Sequence, residues 1–169
     1  MKYFTLEWWL ASQDLGEDVG RPIDQYKRYY ASVKDQLPIR FVEFKELYSL
    51  HDATFLSLNL DLERQQAEFR FLVCHLGYRG GGEFISEKEG TLVYSWVKHF
   101  RSSEDIKAPL DRPDLDVGDM RSLASRGHGA LGYDEIEVIS TGLFEHRMLF
   151  SSAIEFVVRF ADFDFTIDS

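Results

Sequence analysis

A single cysteine, Cys74, excludes any disulfide within the chain and suits a reducing compartment. No apolar run approaches the roughly 20 residues that cross a bilayer. The opening Met1-Lys2-Tyr3-Phe4-Thr5-Leu6-Glu7-Trp8 lacks the basic stretch and apolar stretch of an export signal. A cytoplasmic location is therefore expected, with no membrane contact. Positive charge is also scarce: 19 Lys and Arg stand against 29 Asp and Glu, a formal net charge of -10. Such a field repels phosphate backbones and attracts basic proteins, so nucleic-acid binding is not expected and a basic protein partner is. The same charge also serves solubility alone.

What the chain has in quantity is aromatic rings. With 14 Phe, 8 Tyr and 3 Trp in 169 residues, it has the apolar area for a sizeable single core. The period of that apolar pattern changes along the sequence. Residues 1–50 read as helical. Thr5 caps a short helix carrying Leu6, Trp9 and Leu10, which Gly16 ends. Pro22 opens a second helix, where Ile23, Tyr26, Tyr30, Val33 and Leu37 recur at spacings of three and four before Pro38 stops it. That stripe predicts a docking face against a sheet, and Tyr30→Ala is expected to be costly if the ring is buried. Phe41, Phe44, Leu47 and Tyr48 suggest a third helical turn or the start of a strand.

From residue 53 the period is two. Leu56, Leu58, Leu60 and Leu62, then Ala67, Phe69, Phe71 and Val73, flank Glu63-Arg64-Gln65-Gln66 as a hairpin. A glycine-rich tip at Gly77 and Gly80-Gly81-Gly82 leads to a strand through Leu92, Tyr94 and Trp96, completing the segment 53–99. Residues 101–133 form a long polar insertion with a brief helix near Asp116 to Ser125. Residues 134–169 alternate again as three or four strands, and short links favour an antiparallel meander. The expected fold is one α+β domain, 1–169, with N-terminal helices packed on a mostly antiparallel β-sheet.

No catalytic signature emerges. The histidines His51, His75, His99, His128 and His146 show no metal-ligand spacing, so neither metal nor cofactor is expected. His51-Asp52 is the exception in interest: an imidazole beside a carboxylate at an element boundary serves a metal or proton transfer, or else caps the strand entrance through backbone hydrogen bonds. Cys74-His75 is no dyad, because neighbours on a strand face opposite ways. Ser95-Trp96-Val97-Lys98 fails as a Ser-x-x-Lys site for the same reason, and Arg79-Gly80-Gly81-Gly82 lacks a phosphate-loop pattern. His146, in phase with Phe144, Met148 and Phe150, reads as a core histidine, with Glu145 and Arg147 on the other face. Asp134, Glu135 and Glu137 at a strand entrance read as a solvated edge and as candidate contacts for a basic partner.

The segments Met1 to Trp8, Leu50-His51-Asp52-Ala53, Tyr133-Asp134-Glu135-Ile136-Glu137 and Phe144 to Ser151 together resemble a family of uncharacterised bacterial proteins catalogued as a domain of unknown function. Some of these look like immunity proteins of toxin systems. The resemblance covers less than half the chain, implies a bacterial cytoplasmic origin and transfers no catalytic residues. The expected function is a non-catalytic protein-binding module, in its sharpest form an immunity-type partner of a basic toxin. The alternative is a small hydrolase or metal-binding enzyme using His51, Asp52 and another histidine.

Overall fold

Thr5 does cap the first helix: its Oγ1 accepts the Trp8 N–H at 3.1 Å, so α1 (Leu6–Gln13) begins where a hydroxyl satisfies an otherwise orphaned amide. The computed structural model describes residues 2–13, 20–76, 84–103 and 130–168, without the side chains of 10–13, 74–76 and 84–86. Gly16, the glycine-rich tip and the brief helix expected near 116–125 all lie outside the described residues. Helix α2 (Gly20–Val33) passes through a 3-10 turn, Lys34–Gln36, and α3 (Ile39–Leu47) follows directly. Pro38 is thus the N-cap residue of α3 rather than the stop of α2, in keeping with its fixed φ and missing N–H.

Eight strands follow among the described residues: β1 (Tyr48–Asp61), β2 (Gln66–Leu76), β3 (Phe84–Ser95), β4 (His99–Ser102), β5 (Leu131–Ser140), β6 (Leu143–Phe150), β7 (Glu155–Phe160) and β8 (Asp162–Ile167). They form two antiparallel four-stranded sheets, ordered β1-β2-β3-β8 and β4-β7-β6-β5, so the fold is broadly α+β. The C-terminal strands are therefore not one meander: β8 leaves the sheet of β5, β6 and β7 to pair with β3. The cause is a pair of corners. The chain bends at residues 96–98 between β3 and β4, and at Ala161 between β7 and β8. Bonds from Lys98 N to Arg159 O (2.8 Å) and from Ala161 N to Ser95 O (3.2 Å) carry the ladder across the bend. On the far side β1 meets β5 through the antiparallel bridge Thr54–Ala130. The expected insertion also contracts, since 101–102 belong to β4 and 131–133 to β5.

Between the sheets the inward residues of alternate positions supply a largely aromatic core, including Phe55, Phe69, Phe71, Tyr94, Phe150, Phe156 and Phe160. One contiguous cluster runs from Phe4 to Phe165. Backbone groups of two end strands, β8 and β5, are bonded by side chains. On β8, Asp162 Oδ1 accepts the Phe163 N–H at 2.9 Å and Asp164 Oδ1 the Phe165 N–H at 2.8 Å, while Arg40 donates to the Phe165 carbonyl at 3.0 Å. On β5, the Ile136 and Val138 N–H groups donate to the hydroxyls of Tyr26 (2.9 Å) and Tyr29 (3.0 Å) of α2. Exposed amides of an edge strand invite pairing with another chain, and these side chains occupy them.

The tyrosines of α2 thus act through their hydroxyls as well as their rings. Tyr26 is the buried one; Tyr30 is half-buried, and its hydroxyl has no hydrogen-bond partner among the described residues, while desolvation and the charges of Glu46 and Asp134 push its pKa up to about 12. For the hydroxyl, the costly position is accordingly Tyr26 rather than Tyr30. Tyr26→Phe would strand the Ile136 amide and should cost about 1–3 kcal/mol, whereas Tyr30→Phe removes an unsatisfied hydroxyl and should be neutral or stabilising. Chemical denaturation of the two variants checks this opposition of sign.

Candidate functional site

The most concentrated polar chemistry lies inside the fold. Asp134 of β5 points inward, where Lys45 of α3 donates to both its oxygens at 2.9 and 2.8 Å and His146 Nε2 of β6 lies 2.9 Å from Oδ2. The opposite nitrogen of His146, Nδ1, stands 2.7 Å from the Tyr94 hydroxyl of β3. A carboxylate only accepts, so in the neutral ring Nε2 carries the proton and Nδ1 accepts from Tyr94. The network reads Tyr94 to His146 to Asp134, with Lys45 neutralising the carboxylate. Its position follows from register: Ile136 pairs with His146, and Tyr94 faces the same interior from the other sheet.

Burial alone would raise the Asp134 pKa, but the Lys45 ammonium and the His146 hydrogen bond outweigh it and hold the carboxyl well below its ordinary range. Desolvation, with the Asp134 charge added, pushes the Tyr94 hydroxyl well above its ordinary value, so it stays neutral. Tyrosine, histidine and aspartate in a hydrogen-bonded line resemble a proton relay. Here Tyr94 and His146 are fully buried and Asp134 nearly so, each polar end meeting another member of the line. The arrangement orients and neutralises buried groups.

On the outer face of the same sheet a second network forms. Glu145 is held by Arg159, at 2.7 and 3.0 Å, and by Arg147, which also reaches Glu135 (3.6 Å) and Glu137 (3.4 Å). Although desolvation opposes it, hydrogen bonding to the two guanidinium groups lowers the Glu145 pKa. Glu135 in turn accepts the backbone N–H groups of Lys2, Tyr3 (2.9 Å) and Phe4 (3.3 Å), tying the N-terminal segment to β5. The solvated edge expected at these carboxylates is overturned for Asp134 and Glu135, whose exposures are only 8% and 3%. Glu137 alone remains half-exposed. The reason lies in distant sequence: their partners arrive from α3 and from the first four residues.

His51 and Asp52 do come together, with Nδ1 to Oδ2 at 2.9 Å and both side chains half or more exposed. They sit within β1 rather than at its entrance, in a register break between Ser49 and Thr54, and Asp52 takes a φ of 63°. Among the described residues neither side chain bonds to backbone; instead the His51 ring meets Tyr133 edge-on at 5.3 Å. The expectation of a backbone cap gives way to a surface pair at a bulge. His51→Ala should cost no more than about 1 kcal/mol, as exposed pairs do, and a thermal melt of the variant checks it.

The side chains of Cys74 and His75 are outside the description. His146 is the core histidine expected, and Glu145 and Arg147 share the opposite face. Lys45 and Tyr94, the two network members that sequence reading missed, carry no local signal beyond a short helix and a strand. Among the described residues no three His, Cys, Asp or Glu gather as a metal would require, and no helix is long and apolar enough to cross a membrane. Comparison with protein-family models, curated proteins and solved structures finds no match.

Proposed function

We propose that this protein is a non-catalytic binding module for a basic protein partner, acting in the bacterial cytoplasm. The observation that carries the reading is where the charge goes. The inward histidine and carboxylate are closed into a saturated network, while the net charge of -10 remains to act through the surface. An immunity-type role, binding a basic toxin, is the sharpest form, and the sequence resemblance favours it. The N-terminal helices belong to this reading as a layer on the antiparallel sheets, tied there by Tyr26, Tyr29 and Arg40, so that the strands present a rigid face.

The test is binding against ionic strength. A basic partner steered by an acidic surface associates more slowly as salt rises, so its affinity should fall steeply between low and physiological salt. Salt-independent capture, or capture of acidic chains only, contradicts the proposal. The second reading, a hydrolase or metal-binding enzyme, is favoured by the His51–Asp52 geometry, since a carboxylate orienting an imidazole is the arrangement a general base requires. Esterase activity or bound metal that disappears in His51→Ala would select it.

A further inference from the structure

The corner between β3 and β4 contains an arrangement that folding alone does not favour. Trp96 occupies it with a φ of 57°, in the left-handed region that a bulky side chain enters only at a cost. The residue is 60% exposed, and no other ring of the described residues packs on it. The sequence alternation of Leu92, Tyr94 and Trp96 predicts a third inward side chain, but the bend turns Trp96 out. The position therefore combines backbone strain with little apolar burial, a pairing that points toward use.

Its surroundings extend the patch. Val97 N donates to Gln65 O at 2.8 Å, which brings the β1–β2 turn beside the corner. That turn carries Leu62, at 74% exposure the most exposed large apolar side chain among the described residues. Across the adjoining end of the sheet, register aligns Asp61 with Gln66, Gln66 with Ser95, and Ser95 with Asp162; Glu68 lies two residues further along β2, on the same face as Gln66. Asp61, Glu63, Glu68 and Asp162 bring four negative charges there against the two positive charges of Arg64 and Lys98. An exposed tryptophan and leucine within an acidic field complement an apolar anchor flanked by lysine or arginine. Tryptophan is also the residue type most often found dominating binding energy.

We infer that the end of the first sheet formed by Trp96, Leu62 and the carboxylates of Asp61, Glu63, Glu68 and Asp162 is the docking surface for a basic polypeptide segment bearing an apolar side chain. This deepens the proposed function and rests on it, naming where the basic partner lands. Trp96 and Leu62 would supply the desolvated centre, and the carboxylates would supply steering and register. The strain follows as well: a glycine would hold this φ without penalty and would stabilise the free protein, at the loss of the anchor.

The probe is a display library of random short peptides, selected on the intact protein at low salt and remeasured on Trp96→Gly and Leu62→Ser. The expected result is enrichment of peptides combining Lys or Arg with an apolar residue, binding roughly tenfold or more weakly to each variant. Trp96→Gly should melt no lower than the parent. If it did melt lower, Leu62→Ser, which alters no special backbone conformation, would carry the binding comparison. Basic peptides that bind both variants as tightly as the parent would overturn this surface while leaving the binding-module reading in place. Enrichment of no basic peptide would overturn both.

Discussion

Replacing Asp134 with alanine is expected to destabilise the protein by about 3–5 kcal/mol, because it leaves the Lys45 charge and the His146 donor without their shared acceptor in the interior. Denaturant unfolding of the variant measures this directly. The same residue makes stability depend on acid. The folded Asp134 carboxyl lies below its ordinary value of 3.8, and Glu145 lies below 4.5. A carboxyl depressed on folding contributes stability that is present above its unfolded pKa and lost as pH falls through the folded one. Wild-type stability should therefore decline from about pH 5 downward, and Asp134→Asn should show a shallower decline over the same window.

Phe156→Ala should cost a similar amount, about 3–5 kcal/mol, for a different reason: it empties a site at the centre of the core. The Phe156 ring is fully buried and lies 5.2 Å from Phe150, 5.7 Å from Phe55, 5.8 Å from Phe69 and 6.1 Å from Phe100, so it touches rings from both sheets. Rings anchored on separate strands cannot collapse into the space left behind without moving backbone, which places the change toward the costly end of large-to-small substitutions. A loss below about 1 kcal/mol in denaturant titration would contradict this account of the core.

These two expectations differ in how far the sequence foretells them. Phe156 alternates with Ile154 and Val158, and a period of two places it inward without any structure. The hairpin of β1 and β2, the helical stripe of α2 and the inward phase of His146 are legible in the same way, because each is a local periodicity. Asp134 is not legible. Its parity is inward, yet an aspartate beside a glutamate reads as surface until Lys45, 89 residues earlier, is brought against it. Glu135 is hidden for the same reason, its amide partners lying at the other end of the chain.

Trp96 fails for another reason. The alternation simply continues through it, and only the left-handed backbone turns the ring outward. Tyr29, off the apolar stripe, is missed because its contribution is a hydroxyl to the Val138 amide rather than a buried face. The sequence pattern also gives no sign that β8 changes sheets, since pairing depends on the corners and not on strand content.

On the proposed reading, the tyrosine, histidine and aspartate line is internal scaffolding and the protein works through its surface. Carbethoxylation of the histidines in the native protein, located by peptide mass spectrometry, tests it most directly. His51 and His99 are exposed and should be modified readily, whereas the fully buried His146 should react only once the protein unfolds. Modification of His146 at a rate matching His51 under native conditions would show that small electrophiles reach the network, and would contradict the account.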